Sequence, residues 1–339
     1  MDGGLNGVVE RTTALQTWLA TVLKTDSVRL TPASTDASFR RYWRVWHAGQ
    51  TWIAMDAPPE VEDCGRYADL ARRWRAVGLN TPEIIAEARE QGFLLISDFG
   101  ERLYLQELSA DTADQLYGAA LNTLERLQTC APTDELPRYD AALLTRELGL
   151  FDDWFLTGLL QRSIQSDERA RLTTVYQRLL TNALEQPQVC VHRDYHSRNL
   201  MRTEQDHPGV LDFQDAVLGP ITYDVVSLVR DCYIAWPESR VQDWSRAYYA
   251  RATAAGLVGD VTFECWQRWF DLMGMQRHLK ACGIFARLKL RDGKPGYIAD
   301  IPRTLNYVIA VAGRYADLQP FGDWLKTAIW PMIELQCSE

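Results

Sequence analysis

The sequence predicts an α+β protein of two lobes, with a small N-lobe built on an antiparallel sheet and a large, mostly helical C-lobe. Four short β-like runs lie in the chain up to residue 97, whereas apolar residues recur at helical spacing over most of 103–339. In addition, two apolar runs, at 189–191 and 209–211, each lead into a loop that carries an aspartate. With 339 residues, the chain is long enough to build a hydrophobic core in each lobe.

The N-lobe is expected to comprise residues 1–97, and the segment 98–102 is expected to be the hinge to a C-lobe of residues 103–339. In the N-lobe, helices are predicted from helical periodicity, and strands are predicted from short runs rich in β-branched and aromatic residues. The predicted N-lobe elements are helices at 8–24 and 62–77 and strands at 27–30, 41–46, 51–55 and 92–97.

The C-lobe pattern is helical on both sides of the two aspartate-bearing loops. Apolar residues at helical spacing and N-cap residues such as Asp111, Thr112 and Ser166 mark where its helices begin. The predicted helices are 111–128, 139–161, 166–185 and 222–235, with three or four more between 239 and 336.

Composition and charge exclude several classes of protein. The formal net charge of −9 and a pI near 5.2 argue against an electrostatic footprint for nucleic acid. The seven cysteines are scattered, and the nearest two, Cys265 and Cys282, are 17 positions apart, so reduced thiols in a cytoplasmic protein are expected. No signal peptide and no apolar run of about 18 residues are visible, so no membrane partner is expected. The sequence leaves the oligomeric state open, and a monomer is compatible with it.

The strongest chemical signal lies in the two aspartate-bearing loops. His192-Arg193-Asp194 ends the first apolar run, Asn199 follows five positions after Asp194, and Asp212-Phe213-Gln214 ends the second run. Phosphoryl transfer needs this set, because one carboxylate accepts the proton of the attacking hydroxyl while an amide and a second carboxylate hold magnesium on the phosphates. Protein kinases carry the constellation as H-R-D-x-x-x-x-N followed by D-F-G, so Gln214 in place of glycine is the one departure. Chance turn residues are the alternative.

Each residue of this constellation has an expected role. Asp194 is predicted to be the catalytic base, and Asn199 and Asp212 are predicted to bind Mg²⁺. His192 is expected to anchor the loop, and Asp224 is expected to accept hydrogen bonds from the loop backbone. Asp215 is either a further metal contact or a turn cap.

Nucleotide binding is expected at two places in the N-lobe. The loop before the second strand lacks glycine, but it offers small side chains, hydroxyls and two arginines that could bind phosphates; a solvated hairpin is the alternative. Asp98-Phe99-Gly100 matches the D-F-G metal motif of kinases, but a metal-binding aspartate should follow the catalytic loop, and this segment precedes it. The backbone of the segment is therefore expected to hold the adenine instead. The predicted nucleotide-binding residues are Ser34, Asp36, Ser38, Arg40, Arg41, Asp98 and Phe99.

The third strand departs from the kinase pattern. Protein kinases carry a lysine there that grips the phosphates, whereas residues 52–56 read Trp-Ile-Ala-Met-Asp. Either Arg40 or Arg41 replaces this lysine, or magnesium takes over more of the phosphate binding. The helix glutamate that pairs with the lysine then has no expected partner, so Glu62 is assigned no role. The same departure keeps a catalytically weak binding scaffold as an alternative to an enzyme.

These residues resemble the aminoglycoside phosphotransferase and choline kinase branch of the protein-kinase-like fold. The likeness covers most of the chain and is most specific at 189–235, where the Gly219-Pro220 turn precedes Asp224. More narrowly, the chain resembles the anomeric N-acetylmuramate/N-acetylglucosamine kinases of bacterial cell-wall recycling. The segments that carry this narrower likeness are 38–42, 55–59, 146–148 with Trp154, Arg287 and 297–302.

The resemblance implies a cytoplasmic enzyme of peptidoglycan recycling. Its expected reaction is the phosphorylation of the C1 hydroxyl of an N-acetylated amino sugar to the α-1-phosphate, with ATP and Mg²⁺. A protein kinase is disfavoured, because 216–221 is too short for an activation segment that ends in A-P-E. An aminoglycoside or choline substrate is the alternative within the small-molecule kinases.

A charged cluster in the C-lobe bears on the choice of substrate. Arginine and lysine suit the carboxylate of a sugar acid such as N-acetylmuramate, whereas choline favours an acidic or aromatic cage. An ordinary exposed loop is the other interpretation of the cluster. The predicted substrate residues are Arg287, Arg291, Asp292 and Lys294.

Overall fold

The computed structural model describes residues 3–34, 40–204 and 208–337, and these fold into two compact units. The first unit comprises the described chain up to Arg102 together with Met201–Gln214. The second unit comprises Leu103–Leu200 and the described chain from Asp215 onward. The predicted α+β class is confirmed, with a small antiparallel sheet and a mostly helical remainder. The hinge role of 98–102 stays a prediction.

The first unit is built on a five-stranded antiparallel sheet of order β1-β2-β3-β5-β4. Helix α1 buries Leu15 and Leu19 in a core with apolar side chains from the sheet, among them Phe93. Helix α2 begins after Asp63, whose carboxylate accepts a hydrogen bond from the Gly65 N–H at 2.9 Å. The elements are α1 (Gly3–Leu23), β1 (Arg29–Ser34), β2 (Arg41–His47), β3 (Gln50–Asp56), α2 (Cys64–Ala76), β4 (Ile84–Ala88) and β5 (Phe93–Ser97).

Two short strand pairs frame the motif-bearing loops. Strands β6 (Gln188–Val191) and β9 (Val217–Pro220) pair antiparallel, with Cys190 opposite Leu218. Strand β7 (Leu200–Met201) pairs with β8 (Gly209–Val210).

The second unit is a helical assembly. Its helices are α3 (Tyr104–Glu107), α4 (Ala113–Cys130), α5 (Ala141–Leu150), α6 (Ser166–Leu184), α7 (Tyr223–Val229), α8 (Glu238–Ala254), α9 (Phe263–Leu290), α10 (Ile301–Ala312), α11 (Gln319–Trp324) and α12 (Trp330–Cys337). π-helical segments at Phe151–Leu159 and Leu325–Ile329 continue α5 and α11, and a 3₁₀ segment at Pro295–Asp300 leads into α10.

Helix α9 is the centre of the second unit. Every residue from 269 to 283 is buried, including polar ones such as Arg277 and Lys280, so the helix is covered on all sides. Its contact with α5 is unusually close at Gly283, where a Cβ atom would lie 2.4 Å from the Leu150 backbone. Glycine at this position therefore allows the two helices to approach each other.

The helix expected over 139–161 and the strand list both need correction. The chain is α-helical only over Ala141–Leu150 and continues directly as a π-helix over Phe151–Leu159. The backbone hydrogen bonds therefore change from the α-helical to the π-helical pattern, although no glycine or proline marks this change in the sequence at 150–151. Strand β4 (Ile84–Ala88) was not expected, because it is short and follows a proline.

Candidate active site

The loop that carries Asp194 is a tight turn between β6 and β7. The Asp194 carbonyl accepts hydrogen bonds from the His196 N–H and from the Asn199 side-chain Nδ2, both at 3.0 Å. The His196 carbonyl accepts one from the Asn199 N–H at 2.9 Å. These bonds bring the two motif residues together on one folded loop. Because Nδ2 is used in this way, the amide oxygen of Asn199 is the end that could face a ligand.

Two groups fix the start of this loop. The buried carboxylate of Asp224, in the first turn of α7, accepts hydrogen bonds from the N–H groups of His192 at 2.7 Å and Arg193 at 3.0 Å. The His192 ring is also buried, and its Nδ1 accepts a hydrogen bond from the Asp194 N–H at 3.2 Å. Together these bonds hold Arg193 at a φ of +77°, a left-handed conformation that is unfavourable for a residue other than glycine. Burial raises the pKa of Asp224 to about 7, although the two N–H groups favour its ionised form.

A second buried carboxylate, Glu147 of α5, holds the side chain of Arg193. Glu147 forms an ion pair with the Arg193 guanidinium, accepts a hydrogen bond from the Tyr139 hydroxyl, and lies 3.2 Å from Lys280 Nζ. Burial opposes its ionisation, but the charges of Lys280 and Arg193 keep the pKa of Glu147 below its ordinary value. Segment 146–148 carries part of the family likeness, but the sequence does not predict this role of Glu147, because its partner Arg193 lies 46 positions away.

The carboxylate of Asp194 is ionised at neutral pH. Burial alone would raise its pKa, but four surrounding groups outweigh this effect and lower the pKa to about 2; they are Lys280, His196, Arg193 and Arg277. An ionised carboxylate on a rigid loop can accept a hydrogen bond from a substrate hydroxyl and orient it.

Asp231 supports the middle of the loop. It accepts hydrogen bonds from the Ser197 N–H at 3.0 Å and the Ser197 hydroxyl at 2.5 Å, and its other oxygen accepts one from the Tyr233 N–H at 3.0 Å. No sequence pattern indicates this role of Asp231, since its loop partner Ser197 lies 34 positions earlier.

Asp212 lies in the first unit and offers a half-exposed carboxylate, with 45% of its side chain accessible. It has a φ of +59°, and its Oδ1 accepts a hydrogen bond from Gln214 Nε2 at 2.9 Å. The next residue, Phe213, is buried and stacks on Tyr67 at 4.7 Å between ring centroids. The aromatic anchor and the side chain that replaces the usual glycine therefore both help to fix Asp212.

Arg40 contacts two acidic residues of the first unit. Its Nη2 lies 2.7 Å from Glu62 Oε2, its Nε lies 3.0 Å from the same atom, and its Nη1 lies 3.4 Å from Asp212 Oδ1. The sequence assigns no role to Glu62, because the usual lysine partner is missing, but the structure gives it a cationic partner. Arg40, the residue before β2, forms an ion pair with this glutamate, which precedes α2.

Arg41 faces a different acid. Asp56, at the end of β3, is fully buried and receives Arg11 Nη2 at 2.5 Å and Nε at 2.9 Å, while Arg41 Nη1 lies 3.9 Å from its other oxygen. Of the two arginines proposed to replace the missing lysine, Arg40 is therefore the one that contacts both the glutamate and Asp212.

The other predicted nucleotide residues are only partly described. Asp36 and Ser38 lie outside the described residues, and Ser34 is described only as the last backbone position of β1. Asp98 is bound by Arg44 Nε at 2.7 Å, so its carboxylate is occupied within the protein. Phe99 packs against Gly209, where a Cβ atom would lie 2.6 Å from the ring. The assignment of these residues to the nucleotide stays a prediction.

The predicted substrate cluster separates into different environments. Arg291 and Asp292 are exposed and pair with each other at 2.7 Å, whereas Arg287 is half-buried and burial lowers its pKa. Lys294 donates its backbone N–H to the Leu288 carbonyl at 2.9 Å. The assignment of these four residues to the substrate stays a prediction.

The residue types available suit magnesium. Within residues 3–34, 40–204 and 208–337, no cluster of three or more His, Cys, Asp or Glu side chains forms a metal site by itself. Asp212 in the first unit offers a carboxylate and Asn199 in the second unit offers an amide oxygen, and both are hard oxygen donors. Mg²⁺ is typically held by one or two protein oxygens of these types together with substrate phosphates and water, so each residue by its type fits this ion.

The fold and the motif together define a class of protein. The chain belongs to the phosphotransferase enzyme family, whose family model matches residues 29–257. It is a kinase enzyme and as such uses a nucleotide.

Two relatives and one solved structure are similar to this chain over most of its length. An N-acetylmuramate/N-acetylglucosamine kinase of Pseudomonas putida is 45% identical over 294 residues, which cover 87% of this chain and 86% of that protein. The protein of the same name from Pseudomonas aeruginosa is 46% identical over 299 residues, 88% of each chain. A solved ADP-bound aminoglycoside phosphotransferase, APH(2'')-Ib, aligns with a TM-score of 0.59 and 14% identity over 87% of this chain and 97% of that chain, a likeness that shows the fold alone.

No helix among the described residues combines the length and the apolar character needed to cross a membrane.

Proposed function

We propose that this kinase phosphorylates the anomeric C1 hydroxyl of N-acetylmuramate and N-acetylglucosamine to the α-1-phosphate, with ATP as the donor. What carries the proposal is the 45–46% identity to two kinases named for these sugars, over 86–88% of their lengths. The rigid loop with an ionised Asp194 supports the chemistry. A cytoplasmic site of action in peptidoglycan recycling belongs to the same proposal.

Asp194 is the proton acceptor in this proposal. The sugar hydroxyl donates a hydrogen bond to the carboxylate and attacks the γ-phosphorus as the bond to the β-phosphate oxygen breaks, while its proton passes to Asp194. A carboxylate with a pKa of about 2 is a weak base, so its main contribution is to orient the hydroxyl and to accept the proton late. His192, Asp224 and Glu147 keep the carboxylate in place through the loop.

Asn199 and Asp212 are the proposed Mg²⁺ ligands, and the ion would neutralise phosphate charge during transfer. The protein would supply both oxygens already oriented. The Asn199 amide is held by the Asp194 carbonyl, and the Asp212 carboxylate is held by Gln214.

Arg40 takes the part of the missing lysine in this proposal. Its guanidinium would bind the phosphates of the nucleotide while Glu62 holds its other edge. Ser34, Asp36, Ser38 and Arg41 would complete the phosphate-binding loop, and the backbone at Asp98 and Phe99 would hold the adenine.

The function is tested by a substrate screen with ATP in which ³¹P NMR detects phosphate at C1. We expect N-acetylmuramate and N-acetylglucosamine to be phosphorylated far better than kanamycin or choline. The Asp194→Asn variant should lose at least about 10³-fold in kcat and should still bind ADP, because the base is removed while the shape is kept. Equal turnover by wild type and variant would exclude Asp194 as the base, and a preference for kanamycin or choline would exclude the sugar assignment.

A further inference from the structure

Helix α9 carries a buried cation, Arg277, whose environment differs from that of its neighbour Lys280. Only 6% of Arg277 is exposed, and its Nη1 donates a hydrogen bond to Cys232 Sγ at 3.4 Å. Among the residues that the structure describes, no carboxylate forms an ion pair with it. Lys280, one turn further along α9, lies 3.2 Å from Glu147 Oε1 and so has the partner that a buried charge normally requires.

Two of the three guanidinium nitrogens of Arg277 have no hydrogen-bond acceptor within the described ranges of the chain. They are Nε, which is fully enclosed, and Nη2, which is not. These two atoms form one edge of the planar group, and Arg40 shows how such an edge is used, since its Nε and Nη2 bind Glu62 Oε2 at 3.0 and 2.7 Å. The corresponding edge of Arg277 is therefore the one that the carboxylate of a ligand would meet.

Arg277 lies close to the loop that carries Asp194, and both residues belong to the second unit. Its partner Cys232 follows Asp231, whose carboxylate accepts hydrogen bonds from the N–H and the hydroxyl of Ser197 on this loop. This chain of contacts places the guanidinium beside the loop. Its charge also acts there, because burial raises the pKa of Asp194 but the surrounding cations, Arg277 among them, lower it to about 2.

His196, two positions after Asp194, is a second buried side chain with an unsatisfied nitrogen. It is 8% exposed, and its enclosed Nδ1 has no hydrogen-bond partner in the described part of the chain. Its ring lies edge-on to Tyr233, with 5.3 Å between the ring centroids. Burial lowers the pKa of His196, and the charge of Arg277 contributes to the same shift, so the two side chains lie near each other. Unsatisfied polar groups beside a carboxylate that orients a hydroxyl point to a polar ligand.

We infer that Arg277 binds the carboxylate of N-acetylmuramate and so determines how strongly the kinase prefers an anionic acceptor over an uncharged one. This inference rests on the proposed function. N-acetylmuramate carries this carboxylate on its lactyl ether, whereas N-acetylglucosamine has none. A buried guanidinium without a carboxylate partner among the described residues gains a charge-assisted, bidentate pair from the first sugar and not from the second. The same charge disfavours a cationic acceptor such as kanamycin or choline.

The test changes the ligand and the residue together. Wild type and Arg277→Gln are compared by kcat/KM for N-acetylmuramate and for its carboxamide, in which an uncharged amide replaces the lactyl carboxylate. We expect the wild type to favour the acid about ten- to hundredfold, mostly through KM, and the variant to bring the two acceptors within about threefold of each other. Both acceptors should also lose some kcat in the variant, because Arg277 helps to keep Asp194 ionised, and the ratio removes this shared loss.

Arg178→Gln is the matched control. Arg178 is another arginine of the second unit, and its Nε pairs with Asp317 at 3.4 Å. This variant should keep the wild-type ratio of acid to amide. An equal loss with both acceptors in Arg277→Gln would show that Arg277 acts on the loop or on the transferred phosphate, and would overturn the inference. Equal kcat/KM for the two acceptors with the wild type would overturn it without any variant.

Failure of the proposed function gives a different result, since the wild type would then phosphorylate neither N-acetylmuramate nor N-acetylglucosamine, and the inference would fall with it. Should Arg277→Gln not fold, Arg277→Lys keeps the buried charge but has a single nitrogen in place of the fork. This variant is expected to lower the ratio of acid to amide by about three- to tenfold, because the bidentate pair is lost. An unchanged ratio in Arg277→Lys would count against the inference.

Discussion

Two buried carboxylates hold one strained residue, Arg193, at the start of the loop that carries Asp194. Asp224 binds its backbone N–H, and Glu147 binds its guanidinium. A left-handed φ costs a residue other than glycine about 1–2 kcal/mol, which these interactions offset. The loop is therefore shaped before any substrate arrives, as catalysis by preoriented groups requires.

The pair formed by Arg40 and Glu62 gives a prediction about nucleotide binding. Arg40→Gln should weaken the affinity for ADP, measured by calorimetry without added metal, by about tenfold or more, because a charge-assisted hydrogen bond to a phosphate is lost. Glu62→Gln should cause a smaller loss, since Arg40 keeps its charge but loses the partner at 2.7 Å that orients it.

Arg72→Gln is the matched control, because Arg72 is an exposed arginine of the same unit that pairs with Glu87 at 3.1 Å. Its ADP affinity should equal that of wild type. An unchanged affinity in Arg40→Gln would show that another group replaces the missing lysine.

The role of some site residues could be predicted from the sequence, whereas the role of others could not. Asp194, Asn199 and Asp212 stand out because their spacing is itself a pattern, whatever their surroundings. The roles of Glu147 and Asp231 could not be predicted, since each acts on the loop from a helix or turn at least 30 positions away. The segment 146–148 carries part of the family likeness, but it does not identify the partner of Glu147. No role of Glu62 could be predicted for the same reason, because its partner Arg40, just before β2, lies 22 positions earlier.

At the scale of elements, the close contact between α9 and α5 gives a prediction about stability. Gly283→Ala should lower the free energy of unfolding by about 1–3 kcal/mol, because the new methyl group would lie 2.4 Å from the Leu150 backbone and the helices would have to separate. Urea denaturation measures the loss.

Gly118→Ala is the matched control within helix α4. A Cβ atom there would meet nothing within 4 Å, so the higher helix propensity of alanine should raise the stability by up to about 1 kcal/mol. If both alanines had the same effect, the close contact at Gly283 would not limit the approach of the helices.

Whether a helix or strand could be predicted depended on how regularly apolar side chains recur along it. Long amphipathic helices such as α4 and α6 were visible, because apolar side chains recur along one face over many turns. Strand β4 is only five residues long, and the π-helical turn after α5 has the same apolar face as an α-helix, so neither leaves a distinct pattern. Such features depend on tertiary packing, which a single-sequence period does not encode.

At the scale of the whole molecule, burial of polar groups along α9 couples stability to pH. His278 is buried, its Nε2 lies 2.9 Å from the Arg230 carbonyl, and its ring stacks on Tyr307 at 4.8 Å. Burial, followed by the charges of Arg277 and Arg230, lowers the pKa of His278 from 6.5 to about 3. The folded protein therefore excludes a proton that the unfolded chain accepts below about pH 6.5.

This difference predicts which way stability changes in acid. The contribution of His278 is fully present above pH 6.5 and is lost as the pH falls from there towards 3, at about 1.4 kcal/mol per pH unit. Between pH 7 and pH 5, the wild type should lose about 2 kcal/mol that His278→Gln does not lose, because glutamine can donate a hydrogen bond but cannot take up the proton. Urea denaturation at pH 7, 6 and 5 measures both slopes, and hydrogen exchange of the α9 amides assigns the change to the second unit. A wild-type slope in His278→Gln would mean that the buried ring accepts the proton without loss, and that other groups cause the acid sensitivity.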